Sequence, residues 1–278
     1  MRGAKGVPTR RKMHEPRGPT LPVVLANDPA TGYMTTMDYR ARLYDTYVEA
    51  RESIDPGSLA GLRGRLPYLE RLVRQHFPPR KDARVLDLGC GHGSLLHVAR
   101  SMGYANVEGI DVSQGQVALA RRLGIDGVRE GDVMDELALM PAGSRDVIVT
   151  FDVIEHLRRD ELFAIADEVH RVLAADGRWI IHTPNAESPL FGRIRYGDLT
   201  HEQAFTRQSV LQFLRPAGFV HVASFEDAPV VHGVRSALRN VVWRGIRGLL
   251  RVYLAAETGH AGGDAIFSQN FLVVARKS

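Results

Sequence analysis

Three polar side chains follow an apolar run: Asp152, Glu155 and His156, within Phe151-Asp-Val-Ile-Glu-His-Leu157. A histidine can take or give a proton near neutral pH, because its unperturbed pKa is about 6.5. A neighbouring carboxylate would orient its ring. The same three groups are oxygen and nitrogen donors that could bind Mg²⁺ if the loop converges them, since that ion favours oxygen ligands and keeps several waters. The structural alternative is that Glu155 and His156 simply fix the loop after a strand. A second histidine, His201, stands in Asp198-Leu-Thr-His-Glu202, inside a polar and aromatic stretch over 186–205 that lacks long periodicity. Arg193, Arg195 and His201 would suit a hydroxylated or phosphorylated ligand. Long loops of this kind form pocket walls or lids, or else a hydrogen-bonded clamp.

The elements that must position these groups begin upstream. Residues 85–88 form a short apolar run that predicts a buried strand, followed by a turn with almost no side-chain bulk: Asp87, Gly89, Cys90, Gly91 and Gly93. Residues 94–99 then read as the opening of a helix. A strand running through glycines into a helix brings backbone close to a ligand and offers unpaired N–H groups. No lysine follows the glycines, which excludes a triphosphate loop, and the spacing meets the dinucleotide pattern only loosely. The pattern predicts a nucleoside-type site at the carboxyl end of the first strand of an α/β sheet. Further strands are expected at 107–111, 127–133, 145–150, 178–183, 220–225 and 265–275. Helices are expected from a Ser113 cap to 122 or 123, over 160–174, and from a Thr206 cap to 214.

The stretch from Asp87 to Gly93 resembles the first motif of the class I S-adenosylmethionine-dependent methyltransferases, and the likeness runs from about 84 to 275. The resemblance implies a Rossmann-like α/β fold with a seven-stranded sheet, the last strand antiparallel, and helices on both faces. S-adenosylmethionine would lie across the glycine turn, held by Asp87, Gly89, Cys90, Gly91 and Gly93. Asp111, followed by Val112, would take the ribose hydroxyls, Asp132 the adenine amino group and Val133 the ring. Phe151 would sit beside the methyl sulfonium. The Asp152-x-x-Glu155-His156 segment resembles that of the ubiquinone-biosynthesis O-methyltransferases and many small-molecule relatives. Asp198-x-x-His201-Glu202 resembles a segment of methyltransferases in polysaccharide and secondary-metabolite pathways. His201 could then replace His156 as the base, or the two could face each other across the acceptor. Asn185, Arg193, Arg195, Glu202 and Tyr39 would line the acceptor side.

Methyl transfer is a direct displacement, so it needs in-line positioning and, for a hydroxyl, a base or a metal. The resemblance implies transfer to a hydroxyl of a small molecule, a sugar or glycosylated metabolite preferred. The alternatives are a quinone-type phenol, nitrogen or carbon of a natural product, or a nucleic-acid-binding or scaffold protein that retains the fold. Nucleic acid is disfavoured, because the base-methyltransferase motif Asn/Asp-Pro-Pro-Tyr/Phe is missing and Thr183-Pro-Asn185 does not replace it.

Composition bounds the rest. With 278 residues, 44% hydrophobic and 24% charged, the chain can bury one substantial core. The net charge is +4, and the first twenty residues carry +5 of it, which leaves −1 for the remainder. Residues 1–22, rich in Gly and Pro, are expected as a disordered basic tail. They lack the apolar stretch of a secretory signal, so the expected location is cytoplasmic. The single cysteine, Cys90, excludes an intrachain disulfide and a cysteine-based zinc cluster, and its place in the turn suits packing. Residues 23–80 are expected as a helical cap with helices at 37–53 and 58–76, the second kinked at Pro67. Residues 81–278 form the main domain, with acceptor-side insertions at 186–205 and 228–264. Within the second insertion, 234–256 reads as a basic amphipathic helix: a lid, a homodimer surface or a peripheral membrane contact.

Overall fold

The computed structural model describes residues 57–278 apart from 261, and upstream of them two short strands, β1 (Leu25–Asn27) and β2 (Met34–Thr36), and Leu43. The basic tail, Tyr39 and most of the helix expected over 37–53 lie outside the described residues. The chain divides into two units, Met1–Arg42 and Leu43–Ser278. In the first, β1 and β2 pair antiparallel, with Leu25 opposite Thr36 and Asn27 opposite Met34. This ladder precedes the helices expected at 37–53 and 58–76 in the cap.

In the second unit a 3-10 turn (Leu59–Gly64) leads into α1 (Leu66–His76). Pro67 does not kink a longer helix; it stands in the first turn of α1, where its missing N–H costs nothing. Phe77, held extended before Pro78, ends the helix. The alternation then runs β3 (Val85–Leu88), α2 (Ser94–Ser101), β4 (Val107–Asp111), α3 (Gln114–Arg122), β5 (Val128–Glu130), α4 (Val133–Leu139), β6 (Arg145–Phe151), α5 (Arg159–Val172) and β7 (Leu173–Pro184). After it come α6 (Phe191–Arg195), α7 (Arg207–Leu214), β8 (His221–Glu226), α8 (Val234–Thr258) and β9 (Asn270–Arg276).

Seven strands form one sheet in the order β5-β4-β3-β6-β7-β9-β8. β9 runs antiparallel between β7 and β8, and the pairs through β3, β4, β5, β6 and β7 are parallel. Alternate residues of each strand feed two cores, as the period of two requires. Leu86, Ile148, Trp179 and Ile181 pack with α5 and α7, while Val85, Val147, Val149 and Ile180 pack with α1, α2 and α3. Each fully buried Leu, Ile or Val in these layers contributes roughly 1.5–3 kcal/mol. Trp179 keeps its indole satisfied by donating to Thr150 Oγ1 at 3.0 Å.

Local chemistry fixes the element ends. Ser113 Oγ accepts from Gln116 N at 3.4 Å, and Thr206 Oγ1 accepts from Ser209 N at 3.0 Å, so both expected caps are present. Residues 175–177, between the helix expected over 160–174 and the strand expected at 178–183, are part of β7: Asp176 takes a φ of 60°, and the register with β6 slips between Arg145 and Val147. Strand order reverses between β3 and β6, which places a ligand crevice at the carboxyl ends of those strands.

Candidate active site

The glycine turn after β3 is tightly packed at its first and last glycines. Gly89, Gly91 and Gly93 all have positive φ, and a Cβ on Gly89 would lie 2.5 Å from Val153 Cγ2. Asp111, at the end of β4, reaches back: Oδ2 accepts from Gly91 N at 2.7 Å and Oδ1 from Ser113 N at 2.9 Å. Burial raises its pKa against the pull of those two amides. Its carboxylate is thereby held in place, and each oxygen keeps a second lone pair for a ribose hydroxyl. Beside it, Asp87 is buried, and its Oδ1 has no hydrogen-bond partner. Burial, and then the nearby Asp111 charge, push its pKa up to about 8. A buried carboxyl oxygen without a donor, next to a turn whose glycines take positive φ, fits a cationic ligand such as S-adenosylmethionine.

The other residues expected at the cofactor divide. Val112 is half exposed beside this turn and open to a ligand. Asp132 caps α4, its Oδ1 accepting from Met134 N at 2.8 Å and Asp135 N at 3.2 Å, so an adenine amino group would use Oδ2. Val133 packs partly against the Leu86 core. Cys90 is a packing residue: a Cβ on Gly109 would lie 2.6 Å from its Sγ, and burial followed by the Asp87 charge holds its thiol protonated.

At the carboxyl end of β6, Phe151 lies stacked on His182 with ring centroids 4.0 Å apart, and Tyr68 stands edge-on to both. Asp152 has a left-handed backbone, φ 57°, unusual for a residue with a side chain. Its Oδ1 meets His182 Nδ1 at 2.5 Å, and His182 Nε2 faces Asp227 Oδ2 at 3.4 Å. Burial lowers the His182 pKa, but the two carboxylates overcome it and raise the group to about 9. Burial, and then the Asp227 charge, push the Tyr68 pKa up, and Arg71 lies 3.5 Å from the same carboxylate. His182 is therefore the centre of a charged chain. Tyr68, His182 and Asp227 carried no sequence signal, because their partners lie on distant strands.

The second cluster lies on the loop after β6. Glu155 is fully buried: Oε2 accepts from Thr183 Oγ1 at 3.1 Å, while Oε1 has no partner. Burial, and then the Asp152 charge, drive its pKa well up. His156 Nδ1 lies 3.2 Å from the Thr200 carbonyl and 2.9 Å from Thr200 Oγ1. A carbonyl only accepts, so Nδ1 carries the proton and Nε2 the lone pair. Thr200 in turn donates to Asp198 Oδ1 at 2.6 Å. Burial, with the neighbouring His201, pushes the His156 pKa down to about 4. His201 donates from Nδ1 to the Ile194 carbonyl at 3.1 Å, and its ring touches that of His156 edge-on at 4.8 Å. The two rings are in contact, which corrects the expectation that they face each other across an acceptor.

The expected Mg²⁺ set does not converge, because Asp152 turns to His182. Among the described residues, the ligand atoms that lie within 4.8 Å of one another belong to Glu155, His156 and His201. Asn185, expected to face an acceptor, is spent on backbone: Nδ2 donates to the Ile266 and Ser268 carbonyls at 2.7 and 2.9 Å, and Oδ1 accepts from Glu187 N at 3.0 Å. Arg195 clamps the Glu202 carbonyl at 2.9 Å, and Glu202 N donates to the Glu155 carbonyl at 2.8 Å, so both brace the loop. Arg193 is exposed on α6.

A glycine turn at the reversal of strand order, answered by an acid at the end of the next strand, defines a Rossmann-like nucleoside-binding domain. Residues 62–224 match the family model of a methyltransferase domain, and the chain belongs to that family, of the class I S-adenosylmethionine-dependent kind. Ajmaline N-methyltransferase of Rauvolfia serpentina is 34% identical over 140 residues, 45% of this chain and 47% of that protein. The ubiquinone biosynthesis O-methyltransferase of Sinorhizobium medicae is 35% identical over 109 residues, 36% and 44% of the two chains. Cyclopropane mycolic acid synthase 3 of Mycobacterium tuberculosis is 27% identical over 150 residues, 53% of this chain and 50% of that one. The chain spans about half the length of the curated relatives it matches. Solved structures share the fold. A methyltransferase from Archaeoglobus fulgidus, 21% identical, superposes with a TM-score of 0.53 over 86% of this chain and 100% of that one. A Haemonchus contortus phosphoethanolamine N-methyltransferase bound to S-adenosylmethionine, 14% identical, gives 0.55 over 87% and 60%.

Proposed function

We propose that this protein transfers the methyl group of S-adenosylmethionine to a hydroxyl of a small molecule, with a sugar or glycosylated metabolite preferred. The observation that carries the reading is the Asp198–Thr200–His156 chain, which fixes the imidazole tautomer with its lone pair on Nε2. The cofactor supplies an electrophilic methyl on a sulfonium. Asp111 and the glycine turn hold its nucleoside, and Asp87 offers its unpartnered oxygen to the cationic portion. His156, neutral above about pH 4, is a weak base that accepts the hydroxyl proton as the new bond forms and the oxygen acidifies. Asp152 and Asp227, with Arg65 and Arg71 beside them, offer acceptors and donors that suit vicinal hydroxyls.

A second reading keeps the same acceptor but adds a divalent cation. It is favoured by the convergence of Glu155, His156 and His201, and by the buried Glu155 Oε1 that has no donor. Two imidazoles, each fixed through Nδ1 by a backbone carbonyl, with one carboxylate, suit a transition metal better than Mg²⁺. The relatives' names leave nitrogen and carbon acceptors as competitors.

The test is mass spectrometry of acceptor panels (glycosides, catechols, amines) incubated with protein and S-adenosylmethionine. A gain of one methyl on hydroxyl acceptors, lost in His156→Ala, supports the reading. Methylation confined to amines would overturn it.

A further inference from the structure

The helix α8 (Val234–Thr258) is twenty-five residues long and buries only Ser236. Val234, Leu238, Val241, Val242, Ile246, Leu249, Val252 and Tyr253 are all exposed, from 45% to 88%. At 3.6 residues per turn these eight fall on one stripe little more than a third of the way round. The opposite side faces the protein: Ser236 is buried, Asn240 donates to the Pro229 carbonyl at 3.0 Å, and Arg247 pairs with Glu226. Gly245 and Gly248 lie on or beside the stripe, and a Cβ on either would meet nothing within 4 Å. The apolar stripe therefore points away from the domain, at a standing cost in hydration that single exposed apolar residues do not incur.

Charge identifies what covers it. Arg235 falls within the stripe, Arg239 borders one edge and Arg244 lies about 60° beyond the other, and no acidic residue occurs between 234 and 256. A second copy laid along this face would bring like charges together. The helix is not long and apolar enough to cross a membrane, so it can only lie along one. Its insertion leaves the sheet after β8 and returns before β9, at the edge where the parallel strands end and the two side-chain clusters lie.

We propose that α8 seats the protein on an anionic lipid bilayer, with the stripe at the acyl boundary and the flanking arginines on headgroup phosphates. The inference stands independently of the methyl acceptor.

The experiment is co-sedimentation of the full chain with phosphatidylcholine vesicles, with and without phosphatidylglycerol. Binding to the phosphatidylglycerol vesicles alone, weakened by salt, is expected. The double variant Leu238→Glu/Leu249→Glu should abolish it, and Arg239→Gln and Arg244→Gln should each weaken it roughly fivefold. These side chains lie on the outward face, so melting temperature and S-adenosylhomocysteine affinity should hold, which separates failure here from failure of the cofactor assignment. Equal binding to neutral vesicles, or none to either, overturns the proposal. So does a dimer in light scattering that Leu238→Glu/Leu249→Glu converts to monomer, because the stripe would then be covered by a second copy.

Discussion

His182 and Asp152 meet at 2.5 Å although 30 residues separate them in sequence. The contact makes stability depend on pH in a specific window. His182, raised from its ordinary 6.5 to about 9, contributes fully below 6.5 and loses its contribution as pH rises towards 9. Asp152 is lowered, so its contribution is present above its ordinary 3.8 and is lost on acidification. Urea unfolding should show stability falling by about 1–3 kcal/mol between pH 6.5 and 9. The lower end is favoured, because the Asp152 side chain is 38% exposed and screened by water. His182→Gln should flatten that slope. An unchanged slope in the variant would remove the pair as its source.

The glycine turn gives a steric prediction. Gly89→Val places a side chain against Val153 and in a left-handed backbone, so S-adenosylhomocysteine affinity should be lost by calorimetry. Asp111→Ala removes the acceptor for Gly91 N and the proposed ribose contact together. It should cost about 1.5–3 kcal/mol of affinity, the range for hydrogen bonds to a charged group. Intact affinity in both variants would sink the assignment.

Asp87 predicts a proton. Its pKa of about 8 keeps it largely protonated at neutral pH, and a cationic ligand should favour the charged form. Binding of S-adenosylmethionine near pH 7 should therefore release up to one proton, read from calorimetry in buffers of different ionisation enthalpy. Asp87→Asn should abolish the release. A buffer-independent heat in the native protein would contradict the assignment.

For His156, the acid limb of turnover should lie near pH 4 rather than 6.5, because burial holds the imidazole neutral. His156→Ala should lower turnover by ~10²–10⁴-fold with cofactor affinity unchanged. In the metal reading, chelation abolishes turnover, and Glu155→Ala, His156→Ala and His201→Ala all weaken its restoration by added ion. Full activity in chelator leaves the base reading alone. Loss of melting temperature in step with activity would mark the cluster as structural.

The sequence by itself determined the local features. The apolar run from Val85 to Leu88, the glycines that follow and Asp111 some twenty residues on need only nearest-neighbour sterics and hydrogen bonding to be read. The caps at Ser113 and Thr206 are equally local. The seven-stranded sheet with its antiparallel last strand, β9, agrees with the resemblance because the motifs occur in the family's order. Tertiary structure alone decided which polar groups meet. Asp152, Glu155 and His156 are neighbours in sequence, but the left-handed backbone at Asp152 turns its carboxylate to β7, while the next turn carries Glu155 and His156 to the other cluster. His182 follows Trp179, Ile180 and Ile181 in sequence, and it is charged because the residues just past β6 and β8 bring a carboxylate to each ring nitrogen. Asn185 looked free to bind and is consumed by carbonyls more than eighty residues away. Side-chain pairing across strands depends on register and strand order, and neither is written in the spacing of the residues that it joins.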